Sequence, residues 1–116
     1  MLYSHPRTTA EFDNWPSGGS RVLCRFYIEN DKKGRERVCR QTQKNGQWGK
    51  PKKTTYGARC AIVDGEDGRT YVLIRSENYP MISVVQSNLQ FQQETFHYEN
   101  EDYNLACNLI KNRADF

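Results

Sequence analysis

Between Arg21 and Glu29 the chain alternates strictly. Val22, Cys24, Phe26 and Ile28 take one set of positions, and Arg21, Leu23, Arg25, Tyr27 and Glu29 take the other. A period of two built on β-branched and aromatic residues suits a strand with one face on a core and the other toward water. Turn formers bound it on both sides, Pro16-Ser17-Gly18-Gly19-Ser20 before and Asn30-Asp31-Lys32-Lys33-Gly34 after. A strand so punctuated pairs with its chain neighbours, which makes the sheet antiparallel.

The rest of the chain extends that pattern. Glu36 to Gln43 returns as a second strand, with alternation weak enough to leave room for a bulge. Asn45-Gly46 is a strong hairpin dipeptide. Arg59 to Asp64 and Arg69 to Ser76 read as a second hairpin around Gly65-Glu66-Asp67-Gly68. In its latter strand Thr70, Val72 and Ile74 oppose Tyr71, Leu73 and Arg75, so both faces are largely apolar and the strand belongs in the middle of a sheet. Ile82 to Val85 is a further short strand. Gln90 to Tyr98 fits either strand or helix, because Leu89 and Phe91 are out of phase with Phe96 and Tyr98.

Two stretches carry helical signals. Thr8-Thr9-Ala10-Glu11 has capping-box spacing and predicts a short helix to about Trp15, with Phe12 and Trp15 as a lid on the core and the Pro-Gly stretch as a flexible joint. Asn100 is placed to cap a helix with Glu101 and Asp102 in its first turn and Lys111 and Arg113 in its last, a charge order that suits the helix dipole. Leu105, Ala106, Leu109 and Ile110 give that helix an apolar stripe. The expected fold is α+β: a curled antiparallel sheet or small barrel of about five strands, with the C-terminal helix packed on it. It comprises one domain over 1–116, with an arm over 1–20, a β-rich body over 21–98 and the helix over 100–113. Its expected core is Val22, Cys24, Phe26, Ile28, Cys60, Ile62, Val72, Ile74, Leu105 and Leu109.

Composition bears on whether such a chain folds at all. Only 36% of the 116 residues are hydrophobic, and mean hydropathy is −0.92. Seven Tyr, five Phe and two Trp offset this, since each ring buries a large area. No apolar run approaches the roughly 18–20 residues that cross a bilayer, and the start lacks the pattern of a signal peptide. The expectation is a cytoplasmic chain without membrane contact. Cys24, Cys39, Cys60 and Cys107 are then expected as buried thiols, because their spacing contains no CxxC.

Charge is distributed unevenly. Twelve of the 17 Lys and Arg lie between Arg21 and Arg59 against three acids, for a formal +9, whereas Cys60 to Phe116 holds four basic residues against nine acids. Arg37 to Val63 contains no acid. Inside it, Lys44, Lys50, Lys52 and Lys53 surround Trp48 and Tyr56 in a loop broken by glycine and proline. Cations suit phosphates and flat rings suit unstacked bases. With Arg21, Arg25, Arg37, Arg40 and Arg59 from the adjoining strands, these residues form a candidate face for DNA or RNA, provided that both hairpins belong to one sheet. The same pattern fits a solvated loop with Trp48 folded onto the core.

Other chemistry finds little footing. Nothing in the sequence brings His5 or His97 to a cysteine nucleophile, and no Walker loop, GxSxG or HExxH occurs. The acidic run Asp64 to Gly68 lacks EF-hand spacing and reads as a tight turn. Neither a catalytic residue nor a metal or cofactor is expected. The functional expectation is a small non-enzymatic binding module for nucleic acid. The alternative is an inhibitor or adaptor docking on an acidic or nucleic-acid-handling protein, of the compact basic kind common among phage and mobile-element products. Self-association is a further expectation, with the acidic segment from Glu94 to Asp102 meeting a basic face.

Overall fold

A computed structural model describes residues 2, 5–53, 59–75, 80–85, 89, 91–95 and 99–113. The fold is α+β, with nine strands and one helix among the described residues. The strands are β1 (Thr9–Ser17), β2 (Ser20–Asn30), β3 (Glu36–Lys44), β4 (Gln47–Trp48), β5 (Lys52–Lys53), β6 (Arg59–Asp64), β7 (Thr70–Arg75), β8 (Pro80–Val85) and β9 (Phe91–Thr95), and the helix is α1 (Glu101–Lys111). They form two antiparallel sheets rather than the expected one. The first runs β1-β2-β3-β4, with β5 also on β3; the second runs β6-β7-β8-β9. Neither closes into a barrel. The two predicted hairpins therefore lie in different sheets, which removes the condition for a single shared basic face.

Phase along each strand decides the layers. Ala10, Trp15, Cys24, Phe26 and Val38 of the first sheet pack against Cys60, Ile62, Val72, Ile74 and Val85 of the second. The opposite face of the second sheet, through Ala61, Val63, Tyr71, Leu73 and Ile82, packs on Ala106 and Ile110 of α1 and on Leu2. Among the described residues the second sheet is thus covered on both faces, as the doubly apolar β7 requires, and the first on one. Of the expected core, Cys24, Phe26, Cys60, Ile62, Val72 and Ile74 are fully buried. Val22, Ile28, Leu105 and Leu109 are half-buried at its rim.

The segment expected to be a short helix is strand β1, paired with β2 from Thr9↔Tyr27 to Ser17↔Ser20. Between Phe12 and Trp15 the register slips, because β1 advances three residues while β2 advances two, from Cys24 to Val22. Asn14 takes up the extra residue at φ 60°. This bulge sends Phe12 and Trp15 to the same face, where they meet Phe26 at centroid distances of 5.8 and 5.6 Å. Both lie on the core, and only their secondary structure differs from expectation. The Pro-Gly stretch is a tight hairpin turn, with Gly18 and Gly19 at φ 53° and 82°. The weak alternation of Glu36 to Gln43, which left room for a bulge, hides none, and β3 pairs with β2 in unbroken register.

Phe91–Thr95 is a strand, which resolves the ambiguous segment as far as Thr95; residues 96–98, including His97, lie outside the described residues. Helix α1 is capped as expected, Asn100 accepting a hydrogen bond from the Asp102 amide at 2.8 Å. It ends at Lys111, and Arg113 turns inward instead of serving the last turn. The Arg113 guanidinium donates to both carboxylate oxygens of Glu36 on β3, at 2.8 and 2.6 Å, and also to the Cys60 carbonyl. Glu36 Oε1 in turn accepts the Cys60 amide at 2.8 Å. The chain before β1 closes the other side. Arg7 exchanges backbone hydrogen bonds with Ile62 on β6 at 2.9 and 2.8 Å, and the Thr8 carbonyl accepts from Ile28 on β2 at 3.0 Å.

Candidate functional site

The face of the first sheet that no other described element covers is set by the phase of β2. Because Phe26 faces the core, Arg21, Leu23, Arg25, Tyr27 and Glu29 face out. Their β3 partners on that face are Gln43 beside Leu23, Gln41 beside Arg25, Cys39 beside Tyr27 and Arg37 beside Glu29. Trp48 joins them through its pairing with Gln43, and Lys53 through Cys39.

Arg25 is the centre of this face. Its guanidinium carbon lies 4.0 Å from the Trp48 ring centroid and 5.5 Å from that of Tyr27, so a planar cation sits between two aromatic rings. Arg25 Nε and Nη2 donate to Gln41 Oε1 at 2.8 and 2.6 Å. Gln41 Nε2 donates to the Gly49 carbonyl at 2.9 Å, and the Gly49 amide to the Thr42 carbonyl at 2.9 Å. Gln41 thereby ties the stacked pair to the loop that carries the lysines. Neither Tyr27 nor Gln41 stands out by composition; the signal that finds them is strand phase, one position on either side of the buried residues.

The other expected site residues divide. Arg21 and Lys44 are exposed and line a recess between the β1–β2 and β3–β4 turns, together with Ser17, Gly18, Gln43 and Gly46. Lys50 and Lys53 are exposed, and Lys53 lies opposite Cys39, level with Tyr27 and four residues along β3 from the partner of Trp48. Lys52 is exposed too, but it pairs opposite Arg40 and falls on the other side of the pleat. Arg37 is on the outer face yet committed to Glu29, at 2.8 Å. Arg40 is turned to the inner face opposite Phe26, its guanidinium 5.8 Å from the Trp15 ring. Arg37 and Arg40 are three residues apart, so one regular strand cannot present both on one side. Arg59 belongs to the second sheet, where its Nε donates to the Ile110 carbonyl at 3.3 Å. Tyr56 lies outside the described residues.

Among the described residues, Arg21, Arg25, Lys44, Lys50 and Lys53 form no ion pair. The acids of the face stand at its margins: Glu11 opposite Arg25 on the edge strand β1, and Glu29 held by Arg37.

The remaining polar clusters are internal. Both Asp64 oxygens accept from Arg7 at 3.1 Å. Asp67 accepts from Arg69 Nε at 2.9 Å and from the Tyr71 hydroxyl; burial pushes its carboxyl up, but these bonds, the Arg69 amide and the Arg69 charge together bring it down to about 2. Two of the three acids of the turn, Asp64 and Asp67, are thus paired with Arg7 and Arg69 of the chain itself. Among the described residues no three His, Cys, Asp or Glu side chains gather as a metal site would need, and no helix is long and apolar enough to cross a membrane.

No family model matches this sequence, and no curated protein or solved structure matches it either.

Proposed function

We propose that this protein is a non-enzymatic nucleic-acid-binding module and that the uncovered face of the first sheet is its binding surface. The observation that carries this reading is the Tyr27–Arg25–Trp48 column on a face that also carries Arg21 and Lys53, with Lys44 across the recess from Arg21 and Lys50 exposed in the following loop, none of them ion-paired among the described residues. Cations that are not neutralised by a carboxylate attract phosphates and release counterions on contact, while half-exposed rings take up bases. A charge run that served only to solvate a surface would not need a ring column held in place by Gln41.

Salt dependence tests it. Five phosphate contacts to a single strand give a log–log slope of about −3.5, so raising salt from about 50 to about 200 mM weakens binding roughly 100-fold. Lys50→Ala with Lys53→Ala flattens the slope by about 1.4 by the same relation. Lys52→Ala, on the other side of the pleat, changes it little. Absence of binding to both DNA and RNA at low micromolar protein in about 50 mM salt would end this reading. The face would then be assigned to an acidic protein surface.

A further inference from the structure

We propose that the ligand of this face is a single strand and not a duplex, an inference that rests on the nucleic-acid reading above. The argument is one of width and of π-faces. At the level of Trp48 the sheet runs from β1 through β2 and β3 to β4. That is three inter-strand spacings of about 4.8 Å, or about 14 Å of backbone before any side chain is added. The major groove of B-form DNA is about 12 Å wide, so this face cannot enter it. A duplex also hides the faces of its bases within its own stack. Tyr27 and Trp48 offer rings, with the Arg25 guanidinium already stacked between them, and only an unpaired base can extend such a column.

The recess beside the column supplies the second half of the site. Its lining includes Arg21, Lys44, Ser17, Ser20 and Gln43 and no acidic residue. A strand whose base lies on Trp48 places a neighbouring phosphate in this recess, between two cations carried by adjacent hairpins.

Fluorescence anisotropy with a labelled oligonucleotide of about 12 residues, as DNA and as RNA, single-stranded and annealed, tests this. The single strand should bind at least tenfold more tightly than its duplex. Trp15 is buried, so quenching of tryptophan emission on binding reports Trp48. Trp48→Ala should weaken single-strand binding about 5- to 150-fold without altering the salt slope, and Trp48→Phe should retain most of the affinity. Arg21→Ala with Lys44→Ala should flatten the slope by about 1.4. A duplex bound as tightly as the single strand overturns the inference and leaves the nucleic-acid reading standing, as does unquenched emission with full affinity in Trp48→Ala. Failure of every oligonucleotide to bind overturns both.

Discussion

Cys24 and Cys60 show how far one sheet face differs from the other. Both thiols lie between the sheets, and burial pushes Cys24 up to about 11, against the opposing charge of Arg40, and Cys60 up to about 12. Cys39 is also fully buried, and burial raises its thiol as well. Only the thiolate reacts with a disulfide reagent, so these three should be inert in the native protein at pH 8. Half-buried Cys107 on α1 should react alone. All four should react on unfolding without reductant. Two or more rapid thiols in native buffer would contradict the described packing. At this scale the sequence was legible wherever strand phase alone decides, as for Val22 to Ile28 and for Arg25. It was not legible for Arg40, because counting charge along a strand ignores that residues three apart face opposite ways.

Elements are joined by groups far apart in the chain, and such joints leave little local signal. The apolar spacing of Phe12 and Trp15 imitated a helical turn because a bulge and a strand can both bring residues three apart to one side. Turn chemistry was legible, since Asn45-Gly46 adopts the positive φ pair its dipeptide predicts, 53° and 76°. The Glu36–Arg113 pair, 77 residues apart, was not. It links β3, β6 and the end of α1 with both side chains less than 10% exposed. Burial alone would push Glu36 up, but the hydrogen bonds from Arg113 and the Cys60 amide and the charges of Arg113 and Arg59 together hold it below its ordinary 4.5. A carboxyl depressed in the folded state contributes stability that is complete above the unfolded value and is lost as pH falls through the folded one. Arg113→Met should therefore cost about 3–5 kcal/mol at pH 7, since it takes the bidentate partner from a buried carboxylate and leaves it the Cys60 amide and Arg59 Nη1 at 3.9 Å. Its penalty should shrink as pH falls below about 4.5, where the carboxylate becomes protonated. Urea titrations at pH 7 and pH 3.5 read this out, and an equal cost at both would show that the pair is not what joins these elements.

At the scale of the molecule, both sheets are open strand orders among the described residues, so each has flanks that water or another chain can reach. The backbone of β6 would be one such flank, since β6 ends its sheet's strand order. Arg7 occupies it at Ile62, Leu2 does so at Gly65, and the chain then crosses to β2 through Thr8. What looks like a tether between two layers is, in terms of self-assembly, a guard. An open edge alongside Cys60-Ala61-Ile62-Val63 would present unpaired amides and carbonyls next to a β-branched apolar run, a ready template for a second chain. A chain beginning at Thr9 should therefore associate with rising concentration, visible as growth in light scattering at concentrations where the full chain stays constant. Ile62 belongs to the core, so a substitution there would confuse folding with association; Arg7→Pro in the full chain tests the edge itself, because proline offers no amide to the Ile62 carbonyl. Scattering that rises toward the level of the shortened chain would mark this flank as the one the opening residues keep closed.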